Sequence, residues 1–264
     1  MVQIVWIYNL SPESFLDGNN VALPLQERLA ALVADGADMI DFGAVSTAPD
    51  APMISVEEEL QRLKPLFANK VPVPFSVDTT SAHVAHEAIA HGAIMINDVS
   101  GGRADPEMFA VIAQSGVPYV MMYCKNLNGR ADREEILYPE WIVQHVMEFF
   151  RMQIALAEQA GVARQQIILD PWMGAFVSQD PLDSVKLLQA IAQIKEEFAL
   201  PVYVCPSRKW FLWKLSHDTG PSDRVGSSLA SAMYAMHQGV DYVRVHDVRW
   251  TKQMMEVWKK LYVT

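Results

Sequence analysis

Cysteine and positive charge are both scarce in this chain of 264 residues. Its two cysteines, Cys124 and Cys205, lie far apart and lack both the Cys-x-x-Cys spacing of a zinc or redox site and the density of a disulfide framework. We therefore expect reduced thiols in a cytoplasmic protein. The formal net charge is −10, from 21 Lys and Arg against 31 Asp and Glu. Nucleic acid and anionic membrane surfaces both require a basic footprint, so neither is expected as a partner.

Long hydrophobic runs and interdomain linkers are also missing. The apolar run at the N-terminus is about as long as one strand and has no basic start, so we expect neither a signal peptide nor a membrane span. No segment is rich enough in Pro, Gly and Ser to be a linker, and 51% of the residues are hydrophobic. A chain of this size can bury a full core, and we expect one domain over residues 1–264.

A repeated helix–glycine–strand unit organises the chain. Glycine tolerates the left-handed conformation after the end of a helix, and a short β run after it is typical of a parallel sheet. The pattern occurs at Gly36, Gly92, Gly116, Gly161 and Gly239. Eight strands are predicted near residues 2–8, 38–42, 73–77, 94–97, 118–123, 166–169, 201–205 and 241–245, with seven helical stretches between them and a last helix from about Trp250 to Tyr262.

Helix starts are marked as clearly. Ser55-Val56-Glu57-Glu58 has the pattern of a capping box, and Asp105-Pro106 and Asp180-Pro181 each place an N-cap residue before a proline. Eight strand–helix units in a chain of about this length predict an α/β protein with a single-domain (β/α)₈ TIM barrel. A doubly wound open sheet is the alternative, but no GxGxxG follows the first strand, which disfavours its nucleotide-binding version.

Polar groups follow seven of the eight predicted strands. In a parallel barrel the C-terminal ends of the strands meet at one mouth, where the chemistry takes place. Any one of these groups could be a solvated loop residue or a cap, but buried charge must be paired or used, so the set indicates a binding site. The residues are Asn9, Ser46, Thr47, Asp78, Asn97, Asp98, Asp170, Ser207, Arg208, Lys209, Arg244 and His246.

The residue types in this set predict the ligand. Carboxylates such as Asp78 and Asp170 accept hydrogen bonds from a donor-rich, guanidine-like edge, whereas Arg244 and His246 suit phosphate oxygens. A short helix opening after Ser207 would add an anion site. We therefore expect a polar planar heterocycle with an anionic arm. Mg²⁺ shared with phosphates would need only one or two protein oxygens.

Six runs at these strand ends resemble the dihydropteroate synthase family. They are collinear with that family over nearly the whole chain, at residues 9–18, 76–79, 96–101, 168–171, 206–209 and 244–248. The resemblance implies a (β/α)₈ barrel that joins 6-hydroxymethyl-7,8-dihydropterin diphosphate to p-aminobenzoate and releases pyrophosphate in folate synthesis. It also implies a homodimer.

The resemblance also implies roles for individual residues. Pterin binding falls to Asp78, Asn97, Asp170, Lys209 and Arg244, and diphosphate binding to Asn9, Thr47, Arg244 and His246. Ser207 and Phe176 would bind p-aminobenzoate, Asp17 would act from the first loop, and Asn9 would ligate Mg²⁺. Arg244, His246 and Lys209 are the expected catalytic residues. Neutralisation of charge on the departing diphosphate would be the main catalytic effect.

Several positions depart from the family pattern. Ala48 stands where the family usually has an arginine that helps to bind the anion, Trp172 replaces a glycine, and Val177 replaces a lysine. Ala175 stands where phenylalanine is usual, with Phe176 one place later. Two alternatives therefore stay open. One is a pterin-binding barrel with another transferase role, as in the methyltetrahydrofolate-binding domains of corrinoid methyltransferases. The other is a non-catalytic pterin-binding paralogue.

Overall fold

The computed structural model describes residues 2–11, 25–46, 51–127, 141–174, 176–217 and 220–262. Eight parallel strands form one sheet in the order β6-β5-β4-β3-β2-β1-β8-β7. Each lies where the sequence predicted a strand. They are β1 Gln3–Asn9, β2 Met39–Gly43, β3 Phe75–Asp78, β4 Met95–Asp98, β5 Tyr119–Met122, β6 Ile167–Asp170, β7 Tyr203–Val204 and β8 Tyr242–Val245.

The two end strands of this sheet, β6 and β7, meet and close it into a barrel. Leu169 and Val202 form a parallel bridge, and the N–H of Leu169 donates to the carbonyl of Pro201 at 2.9 Å. The seam is narrow because β7 has only two residues in regular strand geometry. The prediction of a TIM barrel is confirmed.

Ten α-helices occur in the described residues. They are α1 Leu25–Ala34, α2 Val56–Phe67, α3 Ala82–Ala90, α4 Met108–Ser115, α5 Ile142–Gln159, α6 Pro181–Gln189, α7 Ile191–Phe198, α8 Trp210–Ser216, α9 Val225–His237 and α10 Val248–Tyr262. The prediction of one helical stretch per connection is wrong between β6 and β7 and between β7 and β8, which each hold two α-helices. At Ala190 the apolar spacing continues, but the backbone leaves the helix and its N–H is shared between Lys186 and Leu187.

The predicted helix starts have different outcomes. Ser55 Oγ accepts from the N–H of Glu58 at 3.2 Å, and Asp180 Oδ1 accepts from the N–H of Leu182 at 2.9 Å, as N-caps do. The start predicted at Asp105 is wrong, because α4 begins only at Met108, after the N-cap residue Glu107; the carboxylate of Asp105 accepts from the N–H of Ala82 and of Glu107. The five glycines of the repeated unit have φ between 72° and 96°, as predicted.

The barrel interior is apolar below and polar above. Six buried side chains fill it in one cluster: Val5, Met39, Met95, Val120, Ile168 and Tyr203. Since side chains alternate along a strand, the residue two positions later also points inward, closer to the C-terminal mouth. On β2, β4 and β6 that next residue is Asp41, Asn97 or Asp170. On β8, Arg244 comes two positions after Tyr242, which packs against the same cluster. The alternation of side chains along the strands thus places a layer of polar and charged groups directly above the apolar cluster.

Two further expectations concern membranes and cysteines. Within the described ranges, no helix combines the length and the apolar character needed to cross a bilayer. Cys124 and Cys205 are both buried and form no disulfide.

Candidate active site

The centre of the mouth is an ion-pair cluster around Arg244. Its Nε lies 2.7 Å from Asp41 Oδ2, and its Nη2 lies 3.1 Å from Asp78 Oδ2. The Nε–H is not aimed at a hydrogen-bond acceptor, so the contact with Asp41 is an ion pair without hydrogen-bond geometry. Asp41 also accepts from Ser76 Oγ at 2.5 Å and from Asn97 Nδ2 at 3.1 Å. This network ties together four strands, β2, β3, β4 and β8.

Burial and charge set the protonation of the cluster. Burial raises the pKa of Asp78 to about 7, with the Arg244 charge opposing and the Asp41 charge adding to the rise. Burial alone would lower the pKa of Arg244, but Asp41 and Asp78 raise it well above its ordinary value. Arg244 is therefore a permanent cation, whereas Asp78 exchanges a proton near neutral pH.

Two buried acceptor oxygens in the mouth have no hydrogen-bond partner among the described residues: Asn97 Oδ1 and Asp170 Oδ2. The other atoms of these groups are engaged, since Asn97 Nδ2 donates to Asp41 and Asp170 Oδ1 accepts from the N–H of Trp172 at 2.8 Å. Burial raises the pKa of Asp170 to about 7, although Trp172, Lys209 and Arg244 act to lower it. Native proteins pair nearly all buried polar groups, so unpartnered oxygens indicate a site that ligand donors complete.

Ser207 and His246 bond each other across the ends of β7 and β8. Ser207 Oγ accepts from the backbone N–H of His246 at 3.1 Å and lies 3.0 Å from its Nδ1. Burial and the charges of Arg208, Arg244 and Lys209 lower the pKa of His246 well below its ordinary value. The imidazole is therefore neutral at pH 7, and the hydroxyl of Ser207 is committed to it.

Arg208 does not supply the mouth with an additional cation, although it belongs to the predicted set. Its guanidinium makes two bonds to Asp247, at 2.9 and 2.5 Å. Its backbone N–H donates to Ser228 Oγ at 2.9 Å, so this amide is not available for the anion site expected after Ser207. Lys209 immediately precedes α8, and its ammonium lies 3.3 Å from the ring centroid of Trp172.

The remaining predicted residues lie at the rim or elsewhere. Asn9 ends β1 at the mouth, where a Cβ on Gly43 would lie 3.4 Å from its Oδ1. Phe176 is buried and packs edge-on against Trp172, with centroids 4.9 Å apart. Asp98 follows Asn97 and faces the other side of the strand, where Ser100, Gly102 and Tyr119 bond both oxygens. Asp17, Thr47, Ala48 and Ala175 lie outside the described residues.

Comparison with known proteins decides the family. The family described as pterin binding enzyme matches residues 5–246. A dihydropteroate synthase type-3 from Escherichia coli is 37% identical over 268 residues, covering 99% of this chain and 100% of that protein. The chain belongs to the dihydropteroate synthase family.

Solved structures of dihydropteroate synthases agree. The enzyme from Thermus thermophilus, in complex with 4-aminobenzoate, is 34% identical with a TM-score of 0.84, covering 99% of this chain and 95% of that one. The enzyme from Yersinia pestis, with a sulfonamide drug complex, is 29% identical with a TM-score of 0.89, covering 100% and 95%. Family membership favours the synthase over the methyltetrahydrofolate-type barrel considered from the sequence.

Sequence reasoning missed Asp41 as a part of this dihydropteroate synthase site. The site residues predicted near the second strand were Ser46 and Thr47, in the loop that follows it. A signal was nevertheless present, because β2 is otherwise apolar and a carboxylate inside a buried strand needs a partner. That partner is Arg244, from the other end of the chain.

Proposed function

We propose that the chain condenses 6-hydroxymethyl-7,8-dihydropterin diphosphate with p-aminobenzoate, giving 7,8-dihydropteroate and pyrophosphate at the mouth of the barrel. The two unpartnered oxygens, Asn97 Oδ1 and Asp170 Oδ2, carry this proposal. A pterin presents ring N–H and amino donors on one planar edge, which would supply the missing hydrogen bonds. Asp78 and Lys209 complete the expected pterin-binding set.

The reaction breaks the bond between the pterin methylene and the diphosphate oxygen. The electron pair of that bond leaves with pyrophosphate, while the aniline nitrogen bonds the methylene carbon and gives up a proton. Arg244 would stabilise the charge that develops on the departing oxygens, as a cation fixed in place before the reaction. His246 is neutral in the unliganded protein, so its contribution would be an N–H hydrogen bond to diphosphate. Lys209 would hold the pterin.

Asn9 is the residue that would hold Mg²⁺ in this proposal. Among the described residues, no group of three or more His, Cys, Asp and Glu side chains could hold a metal ion. An amide oxygen beside a diphosphate fits Mg²⁺ better than it fits a metal with a full protein cage, because Mg²⁺ keeps water and phosphate ligands. When bound, Mg²⁺ would supply positive charge to the leaving diphosphate.

Phe176 is the better supported of the two residues proposed for p-aminobenzoate. It is 7% exposed and, with Trp172, forms an aromatic pair next to Lys209. The hydroxyl of Ser207 is bonded to His246 instead, so we assign Ser207 to the placement of that imidazole.

Pyrophosphate release, measured with and without p-aminobenzoate, tests the proposed function. Release that requires p-aminobenzoate supports the synthase. Tight pterin binding without release would instead indicate the non-catalytic paralogue, and release without p-aminobenzoate another reaction. Asp170→Asn should weaken pterin binding by about ten-fold or more, since hydrogen bonds to a buried charged group are worth roughly 1.5–3 kcal/mol. Glu158→Gln is the control, because Glu158 is a carboxylate on the surface of α5 that pairs with Arg164, and it should leave the affinity unchanged.

We also propose that the protein is a cytoplasmic homodimer. Two buried cysteines without a disulfide suit a reducing compartment. Helices α9 and α10 expose large apolar side chains, among them Tyr234, Leu261 and Tyr262, and such surfaces often mark protein contacts. Sedimentation velocity should give twice the mass of the chain, and a monomer at micromolar concentration would refute the dimer.

A further inference from the structure

Trp172 contacts both an acid and a cation of the mouth. Its backbone N–H donates to Asp170 Oδ1 at 2.8 Å. The face of its indole ring lies 3.3 Å from Lys209 Nζ, measured to the ring centroid. This is a close cation–π contact. One residue therefore contacts a carboxylate through its backbone and an ammonium group through its ring.

The ammonium of Lys209 has no hydrogen bond or ion pair with any other described residue, although the backbone carbonyl of this residue accepts from the N–H of Leu212. Burial lowers the pKa of Lys209, and the charge of Arg244 on β8 lowers it further, whereas Cys205 after β7, Asp170 on β6 and Asp78 on β3 act to raise it. The indole face is thus the one close partner of the ammonium in the described part of the chain. The ammonium is not bonded to Asp170 Oδ2, which has no partner among the described residues, so both groups are available to a ligand.

Trp172 makes these contacts at a cost to stability. Its φ is 51°, a left-handed conformation that is strained for a bulky side chain and suits the glycine usual in the family. Its Nε1 is buried without a partner among the described residues, which also destabilises the fold. The ring is 4% exposed and fixed edge-on against Phe176 at 4.9 Å. Backbone strain and an unpaired donor at Trp172 indicate that this residue is retained for the contacts it makes.

We propose that Trp172 is a positioning residue, which holds the ammonium of Lys209 in the pterin site through the face of its indole ring. The inference rests on the proposed function, since it assigns the held lysine to pterin binding. The glycine usual at this position has no ring, so a lysine beside it would have to be held in another way.

A measurement without ligand tests the contact itself. In NMR spectra of protein with ¹³C-labelled lysine, the ε-methylene signal that disappears in Lys209→Met should be shifted upfield by the ring current of the indole. Trp172→Leu should abolish this shift, and Trp172→Phe should keep part of it. The unshifted signal of a solvent-exposed lysine in the unmodified protein would overturn the proposal, whether or not the protein releases pyrophosphate.

A double-mutant cycle on the affinity for pterin diphosphate tests the role. Trp172→Leu should weaken binding by about ten-fold, the order of a desolvated cation–π contact, and Trp172→Phe should retain most of the affinity. In a Lys209→Met background Trp172→Leu should have no further effect, because the ring acts through the lysine. Additive losses in the cycle would refute this, since they would mean that the ring only supports the loop.

The matched control is Trp213→Leu. Trp213 forms a second Trp–Lys pair, with Lys214 Nζ at 4.7 Å, and is 39% exposed on α8. Its replacement should leave both the lysine shift and pterin affinity unchanged. Thermal unfolding of each variant shows whether it is folded. If Trp172→Leu does not fold, the affinity of Trp172→Phe tests the role of the ring. Phenylalanine keeps a ring face without the unpaired N–H, so a Phe variant as weak as Lys209→Met would also refute the proposal.

Discussion

Asp41→Asn should destabilise the protein by about 3–5 kcal/mol, the usual cost of removing one partner from a buried ion pair. Asp41 has no exposed surface, and only 7% of the Arg244 side chain is exposed. The two Asp41 oxygens accept hydrogen bonds from Ser76 Oγ and Asn97 Nδ2, and Oδ2 also forms the ion pair with Arg244 Nε. Asparagine supplies one acceptor and adds a donor facing them, so the network loses a charge and a hydrogen bond. Asp78 still neutralises part of the Arg244 charge, which favours the lower end of the range.

Urea unfolding followed by circular dichroism measures this loss. For a protein of this size, 1 kcal/mol shifts the melting temperature by about 2–4 °C, so thermal unfolding should show a fall of about 6 °C or more. Glu158→Gln is the control, because its ion pair with Arg164 is largely exposed, at 41% and 47%, and should contribute below about 1 kcal/mol. Equal effects of the two substitutions would refute the argument that burial makes the Asp41 pair important.

Two further predictions concern pH and the second loop. Burial raises the pKa of Asp170 from 3.8 to about 7. The contribution of its protonated form to the stability of the fold is therefore complete below pH 3.8 and is lost as the pH rises to about 7. The unliganded protein should therefore become less stable through this group as pH rises between the two values, and pH-dependent urea unfolding of Asp170→Asn should show a smaller loss. Pterin affinity should rise towards pH 7 as the carboxylate forms; calorimetry showing a pH-independent affinity would contradict this. Ala48→Arg should raise kcat by up to the equivalent of about 2–4 kcal/mol from one transition-state donor, whereas steady-state kinetics with unchanged kcat would mean that another cation already acts there.

The strands were predictable because they depend on short-range patterns. Each αβ glycine precedes a run of apolar residues, and the period of two then places Asn97, Asp170 and Arg244 inside the barrel. The strand-end rule for barrels was enough to bring Asp78, Lys209 and His246 into the predicted set before any distance was known.

Contacts across the barrel were not predictable in the same way. Arg208 follows a buried strand as Lys209 does, yet its guanidinium bonds Asp247, and nothing local to Arg208 distinguishes the two cations. The role of Asp41 in the site depends on its ion pair with Arg244, which lies near the other end of the chain. The contact of Trp172 with Lys209 depends on a left-handed backbone at a tryptophan, which residue preferences argue against.

The narrow seam between β6 and β7 has a mechanical consequence. Asp170 ends the strand on one side of it, and Lys209 follows the strand on the other side. The amide of Leu169 bonds across the seam beneath them, whereas Val202 is also anchored to β8 through the N–H groups of Asp241 and Tyr242. A molecule that binds Asp170 and Lys209 together therefore spans the least reinforced join of the barrel wall. Its binding energy would stabilise the closed barrel, so binding of such a molecule and closure of the wall would be coupled.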